Sequence, residues 1–216
     1  ISFLSFFWSF SIREPTTAPN SQKHLEPLLP ILKKPVVAAF FSIEFILLFS
    51  HAPFYSFYSN YLKQTGYSTT EIGFLWSVGV MAEIIMFAVA QVFFKRFSWR
   101  LLVSVCLILT ALRWFLVGSF PQIFTIQFLA QTIHAFSFGL FHLIAMRIIF
   151  QNFSLGQQGR GQALYSTMWG LGVASGSILA GHYWSILSGE YIFILAGIAV
   201  LFGLSLVIFL PKEVQA

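Results

Sequence analysis

Six stretches of the sequence, at roughly 36–62, 70–94, 100–118, 121–147, 161–184 and 190–210, are long and apolar enough to cross a lipid bilayer as helices. A hydrocarbon core about 30 Å thick takes about 20 apolar residues at a rise of about 1.5 Å each. Inside lipid, every backbone N–H and C=O has to find its partner within the protein, so runs of this length predict helices. Six of them predict an all-α polytopic membrane protein. The charge content agrees. Only 9% of the residues are charged and 57% are hydrophobic, whereas an ordinary soluble domain is about 25% charged. That composition excludes a soluble enzyme, a disordered chain and a nucleic-acid-binding module.

The segments outside the spans are few. Residues 1–12 are apolar but would reach only about 18 Å as a helix, so they are expected to be the end of a preceding transmembrane helix. Residues 13–35, polar at first and interrupted by Pro15, Pro19, Pro27, Pro30 and Pro35, form a linker in which Leu25 to Leu32 is expected to make a short interfacial turn. Residues 36–210 are the six-helix unit and 211–216 a tail. Gly66, Gly118-Ser119 with Pro121, Gly156, Gly159 and Ser188-Gly189 mark the turns. The chain starts with Ile rather than Met, and we expect it to be part of a longer protein.

The basic residues orient the helices. If the helices simply alternate, Arg13, Lys23, Lys33, Lys34, Lys95, Arg96, Arg100, Arg147, Arg160 and Lys212 fall on one side. Lys63 falls on the other, and Arg113 is inside a span. Lys and Arg mark cytoplasmic loops, so the linker and the C-terminus are expected in the cytoplasm. The same placement accounts for the basic balance without a polyanionic partner.

The remaining ionisable residues are the informative ones. Glu44, Glu83, Arg113, His134 and His142 lie within the spans, where ionisable groups are costly and face a cavity or a partner. Counting at the helical rise puts Glu44 about 12 Å and Arg113 about 20 Å above the cytoplasmic edge. Glu83 and His134 descend from the opposite face to near the midplane. Gln127, Gln131, His134 and Phe138 follow i, i+4, i+7, i+11 spacing and share one helix face; Glu44, His51, Tyr55 and Tyr58 share another. Each polar residue alone reads as structural glue between helices; Glu83, Arg113 and His134 together read as a site. Pro53 is expected to kink its helix. Gly172, Gly176 and Ala180 recur every fourth residue, a pattern for close helix packing.

The sequence offers no enzyme constellation. It has no Asp, no His-Glu pair at zinc-protease spacing and no Gly-rich loop leading to Lys-Ser or Lys-Thr. The single Cys106 lies in an apolar run. We therefore expect no cofactor and no metal, and an ion gradient as the source of energy for any solute movement.

Four stretches carry a family resemblance: PFYSFYSNYL at 53–62, EIGFLWSVGVMAE at 71–83, QTIHAFSFGLFH at 131–142 and GRGQALYS at 159–166. With six spans behind a cytoplasmic linker, the chain resembles the C-terminal half of a major facilitator superfamily permease. Its branch is related to lactose permease and the nucleoside–proton symporters. The resemblance implies an N-terminal six-helix half outside this chain, a substrate bound near the midplane between the halves, and proton symport in a bacterial inner membrane. In lactose permease a Glu, an Arg and a His on successive helices take part in binding and proton coupling; by the resemblance, Glu83, Arg113 and His134 occupy the matching helices. Lactose permease carries a Glu one turn after that His, where this sequence has Ser137. The implied function is uptake of a small aromatic carboxylate such as 3-phenylpropionate. Arg113, Tyr55, Tyr58, Gln131 and Phe138 are the candidates for substrate binding, and Glu83, His134 and Glu44 for proton coupling. Two alternatives stay open at this point: a nucleoside or sugar as substrate, and an orphaned half that transports nothing.

Overall fold

The computed structural model describes residues 27–212. The expected helix end at 1–12, the first part of the linker (13–26) and the last residues of the tail lie outside the described residues. All regular structure among them is helical. A short turn of helix, α1 (Leu28–Leu32), is followed by six long ones: α2 (Pro35–Gln64), α3 (Thr69–Arg96), α4 (Trp99–Ser119), α5 (Phe124–Asn152), α6 (Gln158–Tyr183) and α7 (Gly189–Phe209).

Local chemistry sets the ends. Pro35 opens α2 at a position where its missing N–H costs nothing. Gly66, at φ 101°, makes the turn into α3. There Ser68 and Glu71 form a reciprocal cap: Ser68 Oγ accepts from Glu71 N–H at 3.3 Å and Ser68 N–H donates to Glu71 Oε2 at 2.8 Å. Ser98 caps α4 by accepting from Leu101 N–H. At the far end of α7, where the last eight residues wind as a 3₁₀ helix, the Arg100 guanidinium donates to the carbonyls of Ile208 and Leu210. A fixed cation thereby meets the carbonyls a helix end leaves bare.

α2 packs along α6, α4 along α7, and α3 along α5. Two apolar clusters fill the interior, one around Phe40, Cys106, Phe141 and Ile144 and one around Phe54, Tyr58, Trp114 and Phe193. α3 turns Phe74, Val80, Met81, Ile84 and Ile85 outward, an apolar face suited to lipid or to further helices.

By length and hydropathy, α2, α3, α4, α5 and α7 qualify as membrane spans. α6, expected as a sixth, does not: its 26 residues include six glycines, and Gln, Ser and Thr dilute its apolar content. At about 39 Å it is still long enough to cross. The chain is a multi-pass membrane protein.

The small residues of α6 do what their spacing predicts. Gly172, Gly176 and Ala180 are buried. A Cβ on Gly172 would come within 2.8 Å of the Phe45 carbonyl oxygen, and one on Gly176 within 2.6 Å of Ala52 Cβ and closer still to the Phe49 carbonyl oxygen. α2 stays one helix through Pro53. Phe49 is the residue whose carbonyl Pro53 leaves without its usual donor; Gly176 lies against that carbonyl.

Candidate functional site

The polar residues of α3, α4 and α5 converge midway along the bundle. Arg113 is fully buried on α4, its guanidinium between the rings of Phe54 (4.2 Å) and Trp114 (4.5 Å). Stacking on two aromatic faces holds the cation where water does not reach. Its Nη1 donates to His134 Nδ1 at 2.9 Å and its Nη2 to Gln131 Oε1 at 3.3 Å, with Ser137 Oγ at 3.5 Å from Nη1. On the far side of the imidazole, His134 Nε2 is 2.6 Å from Glu83 Oε1.

This arrangement fixes the imidazole tautomer. A guanidinium only donates, so Nδ1 facing Arg113 carries the lone pair and Nε2 carries the proton given to Glu83. Arg113, neutral His134 and Glu83 form one hydrogen-bonded line from the core to a cavity. One donor along it, Arg113 Nε–H, has no hydrogen-bond partner among the described residues.

The cavity encloses about 480 Å³ and is lined by Phe54, Tyr55, Trp76, Gly79, Val80, Glu83, Gln131, His134, Phe138 and Trp169. Five of these are aromatic rings and three are polar ends of the line. An aromatic wall with a few convergent polar groups is the ordinary form of a small-molecule site. Gly79 helps to open it: a Cβ there would sit 3.2 Å from Gln131 Oε1 and 3.5 Å from His134 Cδ2. α5 contributes through an irregularity, since Ala135–Leu140 winds as a π-helix between two α-helical stretches. Such turns re-aim side chains and are frequent at functional sites. Here His134 and Phe138 emerge stacked, with ring centroids 5.5 Å apart.

The residues singled out from the sequence separate into three groups. Glu83, Arg113, His134 and Gln131 come together, with Tyr55 and Phe138 on the cavity wall beside them. Tyr58 lies one layer behind the cavity wall, fully buried against Phe54 and Trp76 and donating to Gln127 Oε1 at 3.2 Å. Glu44 is also fully buried, and neither of its carboxylate oxygens has a hydrogen-bond partner among the described residues. It belongs to neither the polar line nor the cavity wall. The shared helix face expected for Glu44, His51, Tyr55 and Tyr58 is divided among different neighbours. His51 bonds back to the Leu47 carbonyl and meets Trp114 edge-on.

Phe54, Trp76 and Trp169 were not singled out by sequence. A signal existed for one of them: Trp76, Gly79 and Glu83 follow i, i+3, i+7 spacing on α3. Trp169 sits in a glycine-rich helix whose pattern speaks only of packing.

Three comparisons bear on this geometry. The model of the MFS_1 like family matches residues 5–195. The probable 3-phenylpropionic acid transporter of Escherichia coli (strain K12) is 33% identical over 158 residues. That alignment covers 69% of this chain and 39% of the relative, so the chain corresponds to well under two thirds of that protein's length. No solved structure gives a significant match.

Proposed function

Because the chain belongs to the MFS_1 like family of membrane transporters, we propose that it forms the C-terminal six-helix half of a proton-coupled permease that takes up a small aromatic carboxylate. It is a transport protein of small molecules in a lipid bilayer, not an enzyme. The proposal extends that reading to the substrate and to the driving ion. In it, residues 36–210 are the transporter half, an N-terminal six-helix half supplies the other wall of the cavity, and the C-terminus is cytoplasmic at a bacterial inner membrane.

One observation carries it: the line Arg113–His134–Glu83 ends on the wall of a cavity built from aromatic rings. The ring of the substrate stacks among Tyr55, Trp76, Phe138 and Trp169. Its carboxylate lies at the polar end of that wall, where Gln131 and His134 meet the cavity and the Gln131 oxygen is already held by Arg113. The guanidinium charge stands one layer behind, close enough to favour an anion in a low-dielectric site. The proton is carried on Glu83, through its link to neutral His134. The name of the Escherichia coli relative supports an aromatic carboxylate as the cargo.

The complete enclosure of Arg113 supports a second reading, in which the guanidinium is a structural partner and the substrate is neutral, a nucleoside or a sugar. A panel of labelled substrates offered to cells expressing the full-length protein separates the two. Uptake of 3-phenylpropionate that falls with Arg113→Ala is expected. Uptake of a nucleoside or sugar instead, with no aromatic acid transported, overturns the first reading.

A further inference from the structure

The column of rings on α5 continues past the site. His134 stacks on Phe138 at 5.5 Å with 22° between the planes, and Phe138 stacks on His142 at 6.3 Å with 10°. Two imidazoles are held on one face with a hydrocarbon ring between them, and that ring has no group to relay a proton.

Glu83 faces this column from α3. A Cβ on Gly139 would come within 3.5 Å of Glu83 Cα and 3.6 Å of its Cγ, so the Glu83 backbone and stem ride over that glycine. Position 139 lies five residues after His134 and three before His142. The root of the carboxyl group therefore stands between the two imidazoles. Its carboxylate accepts from His134 in this structure, and His142 stands beyond Phe138 on the same face. The other nitrogen of His142, Nδ1, is 3.0 Å from the Tyr165 hydroxyl on α6. Tyr165 is buried. Among the described residues, the titratable and charged groups that face the column are Glu83 from α3, Arg113 from α4, His51 and Tyr55 from α2, and Tyr165 from α6, with Glu44 of α2 acting on Tyr165.

We propose that Glu83 serves both imidazoles in turn, carrying a proton from the His134 end of the column past Phe138 to His142. The inference rests on the proton-coupled reading above and adds the acceptor on the Arg147 and Arg160 side. In the step, protonated Glu83 turns from His134 to His142. Its O–H bond breaks and an N–H bond forms at His142 Nε2, while His142 Nδ1–H donates to the Tyr165 oxygen. The products are a carboxylate and an imidazolium. The imidazolium gives its proton to water at the Arg147 and Arg160 end of the bundle, and Glu83 returns to His134. Tyr165 acts as a positioning residue: its hydroxyl holds His142 Nδ1, and the step uses the tautomer in which Nδ1–H donates to it and Nε2 is free.

Two readouts on the full-length protein test this. The first needs no substrate: nitrogen NMR of labelled histidine in lipid nanodiscs, wild type against Glu83→Gln. The signals of His134 and His142 are both expected to move, while that of His182 stays. A His142 signal that does not move overturns the proposal, whatever the substrate. The second is 3-phenylpropionate transport in membrane vesicles. His142→Gln is expected to lose gradient-driven accumulation by roughly 100-fold, the scale of a lost proton-transfer group. Its exchange of substrate across the membrane, which needs no net proton release, is expected to stay within about twofold of wild type. Tyr165→Phe is expected to show the same split to a smaller degree. Accumulation by His142→Gln equal to wild type overturns the shuttle. Wild-type accumulation that ignores the proton gradient overturns the proton-coupled reading instead, and the NMR result then decides by itself whether Glu83 serves His142.

Discussion

Along the seam between α2 and α6, glycine brings backbone against backbone; along the seam between α3 and α5, glycine makes room for polar side chains. Gly172 and Gly176 press on the carbonyls of Phe45 and Phe49, and nothing larger than a hydrogen fits there. Gly79 and Gly139 instead face Gln131, His134 and Glu83, and Gly79 lines the aromatic cavity. The same residue type thus fixes one helix pair and furnishes the other. Which of the two it does depends on what the opposite helix presents, and the glycine pattern alone does not say.

Substitutions are expected to separate the seams in a graded order. The largest effect belongs to the polar seam. Arg113→Ala leaves His134 Nδ1 and Gln131 Oε1 without their donor and Glu83 without a nearby cation, a loss of about 3–5 kcal/mol. Unfolding of the full-length protein in mixed micelles measures it; a variant as stable as wild type would mean that the line contributes nothing to the fold. Next comes the packed seam. Gly176→Ala puts a methyl group against Ala52 and the Phe49 carbonyl, at a cost of about 1–3 kcal/mol for overpacking. Tyr58→Phe removes the hydrogen bond to Gln127 and is expected to cost about 1 kcal/mol. The smallest effect is at Gly139→Ala, where the added methyl group meets Glu83 at ordinary contact distance. Stability there is expected to be unchanged or to rise by up to about 1 kcal/mol from helix propensity. If Gly139→Ala proves as damaging as Gly176→Ala, the distinction between the seams fails.

Much of this arrangement was legible in the sequence. The length of the apolar runs set the helices, because lipid leaves the backbone no other choice. Glu83, Arg113 and His134 stand out because charges are rare inside spans, and counting residues from the helix ends puts Glu44, Glu83 and His134 near one level, with Arg113 higher but long enough to reach them. The shared face of α2 adds Glu44 and Tyr58; Tyr58 packs behind the wall residues Phe54 and Trp76, and Glu44 is buried elsewhere. The π-turn at Ala135–Leu140 escaped, because it depends on how α5 meets its neighbours and not on a local motif. Phe138, within that turn, stacks between two histidines. The wall residues Trp76 and Trp169 read as ordinary apolar bulk until α3 and α6 are placed across from α5. The reading of α6 as a span was a matter of length against composition: it is long enough, but its glycines serve packing at the expense of hydropathy.

The most direct test of the central claim is accumulation of labelled 3-phenylpropionate in vesicles carrying the full-length protein, under an imposed proton gradient, for wild type and Glu83→Gln. Wild type is expected to concentrate the substrate and to lose this when a protonophore is added. Glu83→Gln is predicted to exchange substrate but not to concentrate it. Gradient-driven accumulation by Glu83→Gln at the wild-type level would contradict the assignment of the proton to the Arg113–His134–Glu83 line.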